Sequence, residues 1–230
     1  MVATIPPVKR PYHEDDYVPE YPDFDRGTCL VIGGGPSIND MDWDDIREWR
    51  FQQPNRYVIA TNEAMISLCP DANIGYWVDA RWYQWNKIRM QTECKVGRRY
   101  TSAHGLSVDY GGGTYIENRN NPVMFSVDPK YVCGRDSGGI AINLAYHCNA
   151  AKAYLIGFDM WDNPAGEDTG NFHDKHQNKQ PGTPRSTHFI PAHARAAQTI
   201  IDMGLDFQVF NATPHSALKC WPPAVWSRIR

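Results

Sequence analysis

The sequence predicts an α/β protein with a mostly parallel β-sheet and helices on both faces, and three observations carry this prediction. Short apolar runs of strand length alternate along the chain with longer segments of helical periodicity. Glycine or polar residues directly follow several of these runs, as they do where a parallel strand gives way to a helix. With 42% apolar residues in 230, the chain can build the core of a single domain of this class.

The predicted elements follow one another in regular alternation from residue 28 onward. Strands are expected at about 28–33, 56–61, 73–79, 151–159 and 206–213, with shorter strands near 93–97 and 122–127. Helices are expected at about 37–50, 80–90, 137–150 and 190–203, with short helices from Asn62 and near 215–219. Ser37 is the predicted N-cap of the first helix, because its hydroxyl can accept a hydrogen bond from a free N–H group there. The alternation corresponds to a Rossmann-like fold.

Residues 1–26 precede the first strand and are predicted to form an extended arm. Five prolines and several acidic residues leave this segment few side chains that could pack. Such an arm can wrap around its own domain, residues 27–230, or around a second copy of the chain. The second arrangement would produce a homo-oligomer.

Composition and charge argue against several classes of protein. The formal net charge of −3 gives the chain as a whole no footprint of non-specific nucleic-acid binding. Basic residues are nevertheless concentrated between Arg47 and Arg99, so a nucleic-acid acceptor stays an alternative to a solvated helix face. The sequence shows neither an apolar run of membrane-spanning length nor an apolar signal segment, so we expect a cytoplasmic location. The six cysteines are scattered, so neither a zinc site nor a disulfide framework is expected.

Residues 28–40, TCLVIGGGPSIND, carry the strongest local signal. A buried-strand run leads into Gly33, Gly34 and Gly35, and then into Pro36 and Ser37 at the start of a predicted helix. Glycines let the backbone approach a ligand closely, and the first N–H groups of a helix attract anions. We therefore predict that this glycine loop, residues 33–37, binds a phosphate or another anion. A tight turn without a ligand is the alternative.

Other polar residues follow the remaining predicted strands or begin the predicted helices. In an open parallel sheet, ligands bind outside the carboxyl ends of the strands. The sequence therefore predicts a shared cleft at this edge of the sheet. Its expected residues beyond the glycine loop are Asn62, Asp79, Ser137, Gly138 and Asp159.

The segment of about 161–187 is long and polar, and it is predicted to form a mobile lid over the cleft. A structureless loop of this length inside a domain is usually functional or disordered. Cationic and histidine side chains in the lid could contact a leaving phosphate: His173, Lys175, His176 and Arg185.

Two further histidines flank Pro191 at the start of the last long helix. A histidine at the edge of a cleft can carry a proton near neutral pH, so His188 or His193 is a candidate general base. The alternative is that they cap or pack at this junction. The histidines lack partners at a spacing typical of zinc ligands, so no metal site is expected.

Several motifs together resemble one superfamily over about residues 28–220: GGGPSIND, the Asn62 that follows the second strand, SGGIAINLAY, LIGFDM and NATPHSAL. One branch holds the family 42 sialyltransferases and related flagellin-modifying transferases, and another holds 6-hydroxymethylpterin pyrophosphokinase-like proteins. Gly34 and Asp79 stand where the sialyltransferases have asparagines. The segment from His188 to Arg195 resembles the one that carries their general base, which points to His193.

The resemblance implies a transferase that uses a nucleotide-activated sugar as its substrate. His193 would remove a proton from the acceptor in an inverting displacement, and Asp159 would orient hydroxyl groups. The alternative from the second branch is a Mg²⁺-dependent pyrophosphokinase, with Asp79, Asp159 and Asp162 near the metal. A third hypothesis is a non-catalytic nucleotide-binding module in which aromatic residues at 77, 82, 83 and 85 stack on a base.

Overall fold

The computed structural model describes residues 17–103, 113–119, 121–162, 171–172 and 184–229. Its strands are β1 (Thr28–Ile32), β2 (Arg56–Thr61), β3 (Ile74–Trp77), β4 (Arg98–Thr101), β5 (Thr114–Tyr115), β6 (Glu117–Asn118), β7 (Tyr131–Val132), β8 (Lys152–Ile156) and β9 (Gln208–Asn211). Seven of them form one sheet in the order β5-β4-β3-β2-β1-β8-β9, and β6 pairs with β7. Every pairing between these strands is parallel.

Helices connect the strands. They are α1 (Trp43–Phe51), α2 (Ala64–Ser67), α3 (Ala80–Thr92), α4 (Ser137–His147) and α5 (Ile190–Asp202). Short 3₁₀ turns lie at Pro36–Asp40 and Trp226–Arg228, and a π-helical turn, Arg185–Phe189, leads into α5. Among the described helices, none combines the length and the apolar character needed to cross a membrane.

The sheet has a hydrophobic core on each face, because successive strand residues point to opposite sides. Cys29 and Val31 of β1 belong to a core with α4 and α5. Leu30 and Ile32 belong to the other core, with α1, α2 and α3. The prediction of an α/β, Rossmann-like domain with a parallel sheet covered on both faces is confirmed.

The strand order changes direction at β1. From β1 the chain proceeds through β2, β3 and β4 toward one side of the sheet, whereas β8 and β9 lie on the other side. The connections that follow β1 and β8 therefore lead to opposite sides of the sheet. Such a switch point creates a crevice at the carboxyl edge of a sheet.

The first helix differs from the prediction. Ser37 does not cap a long helix, since residues 36–40 form a separate 3₁₀ turn and α1 begins only at Trp43. The N-cap of α1 is Asp42, whose carboxylate accepts the backbone N–H groups of Asp44 and Asp45 at 3.0 and 3.2 Å. The Ser37 hydroxyl donates instead to the carboxylate of Asp159.

The short elements were also predicted poorly. The strand expected near 93–97 is β4, a few residues later, and no strand forms in the described part of 122–127. There, the buried Asn143 side chain accepts the N–H of Ser126 and donates to its carbonyl oxygen, so a side chain replaces a strand partner. The helix expected near 215–219 is a turn, in which the hydroxyl of Ser216 accepts the N–H of Leu218.

Residues 17–26, the described part of the predicted arm, pack against the domain of the same chain. The ring of Phe24 is buried and stacks on Tyr57 with centroids 4.1 Å apart. The hydroxyl of Tyr21 donates to the carbonyl of Pro129 at 2.9 Å. Residues 1–16 lie outside the described residues, so a role of the arm in oligomerisation stays a prediction.

His147, in the last turn of α4, should make stability depend on pH. Burial lowers its pKa from the ordinary 6.5 to about 4, although its Nε2–H donates to the carbonyl of Tyr131. In the unfolded chain His147 is protonated below about pH 6.5, whereas in the folded state it stays neutral down to about pH 4. The free energy of unfolding therefore decreases as the pH falls from 6.5 toward 4.

We expect this histidine to account for a loss of about 2 kcal/mol between pH 7 and 4.5. Urea unfolding of the wild type and of His147→Gln at both pH values measures it, because glutamine keeps a donor but does not titrate. The pH-dependent difference in unfolding free energy should be smaller in the variant. An equal difference in both proteins would contradict the assignment.

Candidate functional site

The glycine loop closes on a carboxylate of the protein itself. The backbone N–H and the hydroxyl of Ser37 donate to Asp159, at 3.1 Å to Oδ1 and 2.8 Å to Oδ2. Asp159 is only 7% exposed, and this burial raises its pKa, although the bonds from Ser37 and the charge of Arg185 oppose the shift. The backbone N–H of Ser37 belongs to the loop that the sequence predicts to bind a phosphate. In the structure it donates to a carboxylate of the protein itself.

Sterics explain two of the three glycines in this loop. A Cβ atom on Gly35 would lie 1.8 Å from Oδ2 of Asp159, and one on Gly33 would lie 2.7 Å from the carbonyl oxygen of Gly157. A Cβ on Gly34 would meet nothing nearer than Oδ1 of Asn171, at 3.6 Å. The backbone N–H groups of Gly33 and Gly35 donate to carbonyls of the β8 end, so the loop is fixed against that strand.

Asn62 and Ser137 meet at the centre of the carboxyl edge. Nδ2 of Asn62 donates to Oγ of Ser137 at 3.2 Å, which joins the end of β2 to the start of α4. Asn62 has a positive φ of 49°, a conformation that asparagine tolerates better than most residues. Gly138 allows the start of α4 to approach Phe158, whose ring would lie 2.5 Å from an added Cβ. The structure therefore brings these predicted residues together.

A cavity of about 420 Å³ lies beside them, at the ends of β3 and β4. This volume falls in the usual range for small-molecule sites. Asp79, the N-cap of α3, contributes a carboxylate that also accepts the backbone N–H of Arg81 at 2.8 Å. Oδ1 of Asn118 is buried without a hydrogen-bond partner among the described residues. The lining residues are Val78, Asp79, Ala80, Ser102, Asn118, Gly134 and Arg135.

His193 lies beneath this edge and is buried. Its Nδ1 accepts the indole N–H of Trp221 at 3.3 Å. Its Nε2 lies 3.1 Å from Oδ2 of Asp136, close enough for an ion pair although the angle is poor for a hydrogen bond. Asp136 is also the N-cap of α4, because its Oδ1 accepts the N–H of Gly139 at 2.9 Å. Both ring nitrogens of the predicted general base therefore face other side chains.

The other predicted site residues lie apart from this cluster or outside the described part of the chain. His188 is exposed in the π-helical turn, with Nδ1 2.8 Å from the hydroxyl of Thr187. The Arg185 guanidinium donates to the carbonyl of Trp161 at 3.1 Å. His173, Lys175 and His176 lie outside the described residues, and so does most of the predicted lid. No group of three or more possible metal ligands occurs among the residues that the structure describes.

The aromatic residues of the predicted stacking platform belong mainly to the core. Trp77, Trp82 and Tyr83 are buried in the core with α1 and α3. Trp77 and Tyr83 stack on each other with ring centroids 5.5 Å apart. These three rings cannot receive a nucleotide base, which removes the main support for a stacking module.

Carboxylates pair with much of the basic stretch between Arg47 and Arg99. Such pairing reduces the positive field that a phosphate-binding face needs. The structure therefore offers a nucleic-acid acceptor little support here. The pairs are Arg47–Asp44 (3.0 Å), Arg50–Asp71 (3.0 Å), Arg81–Asp79 (3.8 Å), Arg89–Glu63 (2.7 Å) and Arg98–Glu20 (3.5 Å).

Sequence reasoning missed four residues of this edge: Ser102, Asn118, Arg135 and Asp136. Asp136 could have been found, because an aspartate immediately before a predicted helix is a strong N-cap candidate. Ser102 and Asn118 depend on β4 and the two-residue β6, which carry almost no periodic signal. Arg135 is one of many charged loop residues, and only the fold places it at the cavity.

Comparisons with known proteins support the fold. No protein-family model matches the chain, and no curated protein matches it. Among solved structures, it is similar to one described as the MAf glycosyltransferase from Magnetospirillum magneticum AMB-1, with a TM-score of 0.59 and 15% identity. The likeness covers 93% of this chain but only 35% of the other, so the chain spans about a third of that protein's length. At this identity the likeness shows a shared fold.

Proposed function

We propose that the protein is a transferase that uses a nucleotide-activated sugar, as glycosyltransferases do. The observation that carries the proposal is a row of polar residues that follow neighbouring strands at the carboxyl edge: Asp159 after β8, Asn62 after β2, Asp79 after β3 and Ser102 after β4. Within this polar row, the Asn62–Ser137 contact adjoins the cavity beside Asp79. The row follows neighbouring strands from β8 to β4, four strand spacings or about 19 Å. The fold shared with a protein named as a glycosyltransferase supports the same class.

The polar groups of the cavity suit such a donor. The carboxylate of Asp79 and the unpartnered Oδ1 of Asn118 accept hydrogen bonds, which sugar or ribose hydroxyls can donate. Arg135 is a cation that can bind a phosphate oxygen. In the proposed reaction the acceptor oxygen bonds to the anomeric carbon, and the leaving nucleotide takes the electron pair of the broken bond. The configuration of the sugar is thereby inverted.

The spacing of the carboxylates argues against the pyrophosphokinase alternative. Asp79 follows β3 and Asp159 follows β8, three strand spacings or about 14 Å apart. A Mg²⁺ ion binds its ligands at about 2.1 Å, so one ion cannot bind both carboxylates. Asp159 is further engaged by Ser37. The proposed transferase function therefore includes no Mg²⁺ ion shared by Asp79 and Asp159.

A thermal-shift screen tests the proposed function. CMP, CDP, UDP, GDP, ADP and ATP are compared with and without Mg²⁺, followed by sugar conjugates of whichever nucleotide binds. At a concentration of about 100 times Kd, a ligand specific for the folded state stabilises it by about 2.7 kcal/mol. For a chain of this size we expect Tm to rise by roughly 5–10 °C.

The matched variants are Asn62→Gly and Asn149→Gly. Both asparagines have a positive φ, 49° and 60°, which glycine adopts without strain. Asn62 lies at the carboxyl edge, whereas Asn149 precedes β8 at the opposite edge. We expect only Asn62→Gly to reduce the nucleotide-induced shift. If no nucleotide or nucleotide-sugar shifts Tm, the proposed function is wrong, and binding of ATP only with Mg²⁺ would favour a pyrophosphokinase.

A further inference from the structure

The contacts of His193 define where its proton lies. The indole N–H of Trp221 donates to Nδ1, so that nitrogen must be an acceptor without a proton. The proton of a neutral imidazole is therefore on Nε2, 3.1 Å from Oδ2 of Asp136. Trp221 fixes the tautomer, so the ring nitrogen that carries the proton is the one that lies beside the carboxylate.

Of this pair, Asp136 is the residue that a ligand can reach. The His193 side chain is 1% exposed and that of Asp136 is 15% exposed. Oδ2 of Asp136 is buried against His193, so the exposed surface belongs to the rest of its side chain. Asp136 lies between Arg135, which lines the cavity, and Ser137, which contacts Asn62. It therefore stands at the middle of the carboxyl edge.

We propose that Asp136 is the catalytic residue that accepts the proton of the acceptor hydroxyl, and that His193 is a positioning residue behind it. This inference rests on the proposed transferase function. The acceptor oxygen attacks the anomeric carbon, its proton passes to the carboxylate of Asp136, and the bond to the leaving phosphate breaks with its electron pair. Nε2 of His193 stays beside Oδ2 throughout and holds the carboxylate in place.

A purely structural role would not require this arrangement. An N-cap needs one oxygen atom, and serine or asparagine supplies it as well as aspartate does. Here the second oxygen lies beside a buried imidazole, and carboxylate–histidine pairs are common in acid–base sites.

The electrostatic surroundings keep Asp136 ionised. Burial would raise its pKa, but the contact with His193 and the N–H groups of Gly138 and Gly139 outweigh burial, so the pKa is lowered. An ionised carboxylate can accept a proton across the neutral range. This separates it from a histidine base, whose activity is lost when the imidazole is protonated below about pH 6.5.

Two variants test the proposal on whichever nucleotide-sugar stabilises the protein, with hydrolysis of that donor as the assay. Asp136→Ser keeps a good N-cap but removes the carboxylate, and we expect kcat to fall about 10²–10⁴-fold with the nucleotide-induced Tm shift retained. His193→Gln keeps a polar side chain beside Oδ2, so we expect a fall of less than about 30-fold. Wild-type kcat should stay constant from pH 8 to about 5.5.

Asp42→Ser is the control, since it makes the same change at the exposed N-cap of α1 and should leave kcat unchanged. Unchanged kcat in Asp136→Ser would show a structural cap and overturn the inference. A His193→Gln variant as inactive as Asp136→Ser, together with a wild-type kcat that already falls under mildly acidic conditions, would make His193 the base. If the wild type binds nucleotides but turns over no donor, the inference fails, whereas absent nucleotide binding already refutes the proposed function.

Discussion

Replacing Gly35 with alanine is expected to destabilise the protein by about 3–5 kcal/mol. The added Cβ would lie 1.8 Å from Oδ2 of Asp159, a distance that no relaxation of the methyl group relieves. The carboxylate must therefore leave Ser37 and lose the two hydrogen bonds that compensate its burial. The backbone of Gly35, with φ of −73°, suits alanine, so the cause is steric. The added Cβ would also lie 2.7 Å from the carbonyl oxygen of Gly157.

The matched control is Gly34→Ala, one residue earlier. A Cβ there meets nothing closer than 3.6 Å, so we expect a change of less than about 1 kcal/mol. Urea unfolding of the wild type and of both variants gives the free energies. Equal effects of the two substitutions would show that the loop is not held by Asp159 as described.

The second large effect is expected for Arg89→Met, which removes the cation that pairs with a buried carboxylate. The Glu63 side chain is 2% exposed, and Nη1 and Nη2 of Arg89 donate to its two oxygens at 2.7 and 2.8 Å. Removing one partner of a buried pair typically costs about 3–5 kcal/mol. Because Glu63 directly follows Asn62, we also expect weaker nucleotide binding.

Two comparisons isolate the cause of this loss. Replacing both residues, Glu63→Leu with Arg89→Met, removes the buried charge together with its partner and should recover most of the stability in urea unfolding. Arg47→Met breaks the exposed pair with Asp44 and should cost no more than about 1 kcal/mol. A double variant as unstable as Arg89→Met alone would contradict the explanation.

The central part of the fold could be predicted from the sequence because its signals are local. β1, β2 and β8 are continuous apolar runs, which is typical of strands buried on both faces. The helices that follow begin at recognisable boundaries, as at Ser137 for α4. Because ligands bind at the carboxyl edge of an open parallel sheet, the sequence alone predicts that Asn62 and Ser137 lie in one cleft.

The remaining features depend on contacts between distant residues. Ser37 has every local property of an N-cap, yet its hydroxyl bonds to Asp159, 122 positions away. His193 was identified from its segment, but its burial and its contact with Asp136 arise only when α5 packs against α4. Two-residue strands such as β5 and β6 have too few residues to show a period.

The position of β1 in the sheet has a consequence for how the protein folds. β1 pairs on one side with β2, which follows it closely, and on the other with β8, where Thr28 faces Lys152. The second pairing must close a long loop, and contacts between residues far apart in sequence slow folding. The glycine loop can meet Asp159 only after that closure. The edge of the sheet proposed to bind the donor is therefore complete only after β8 has paired with β1.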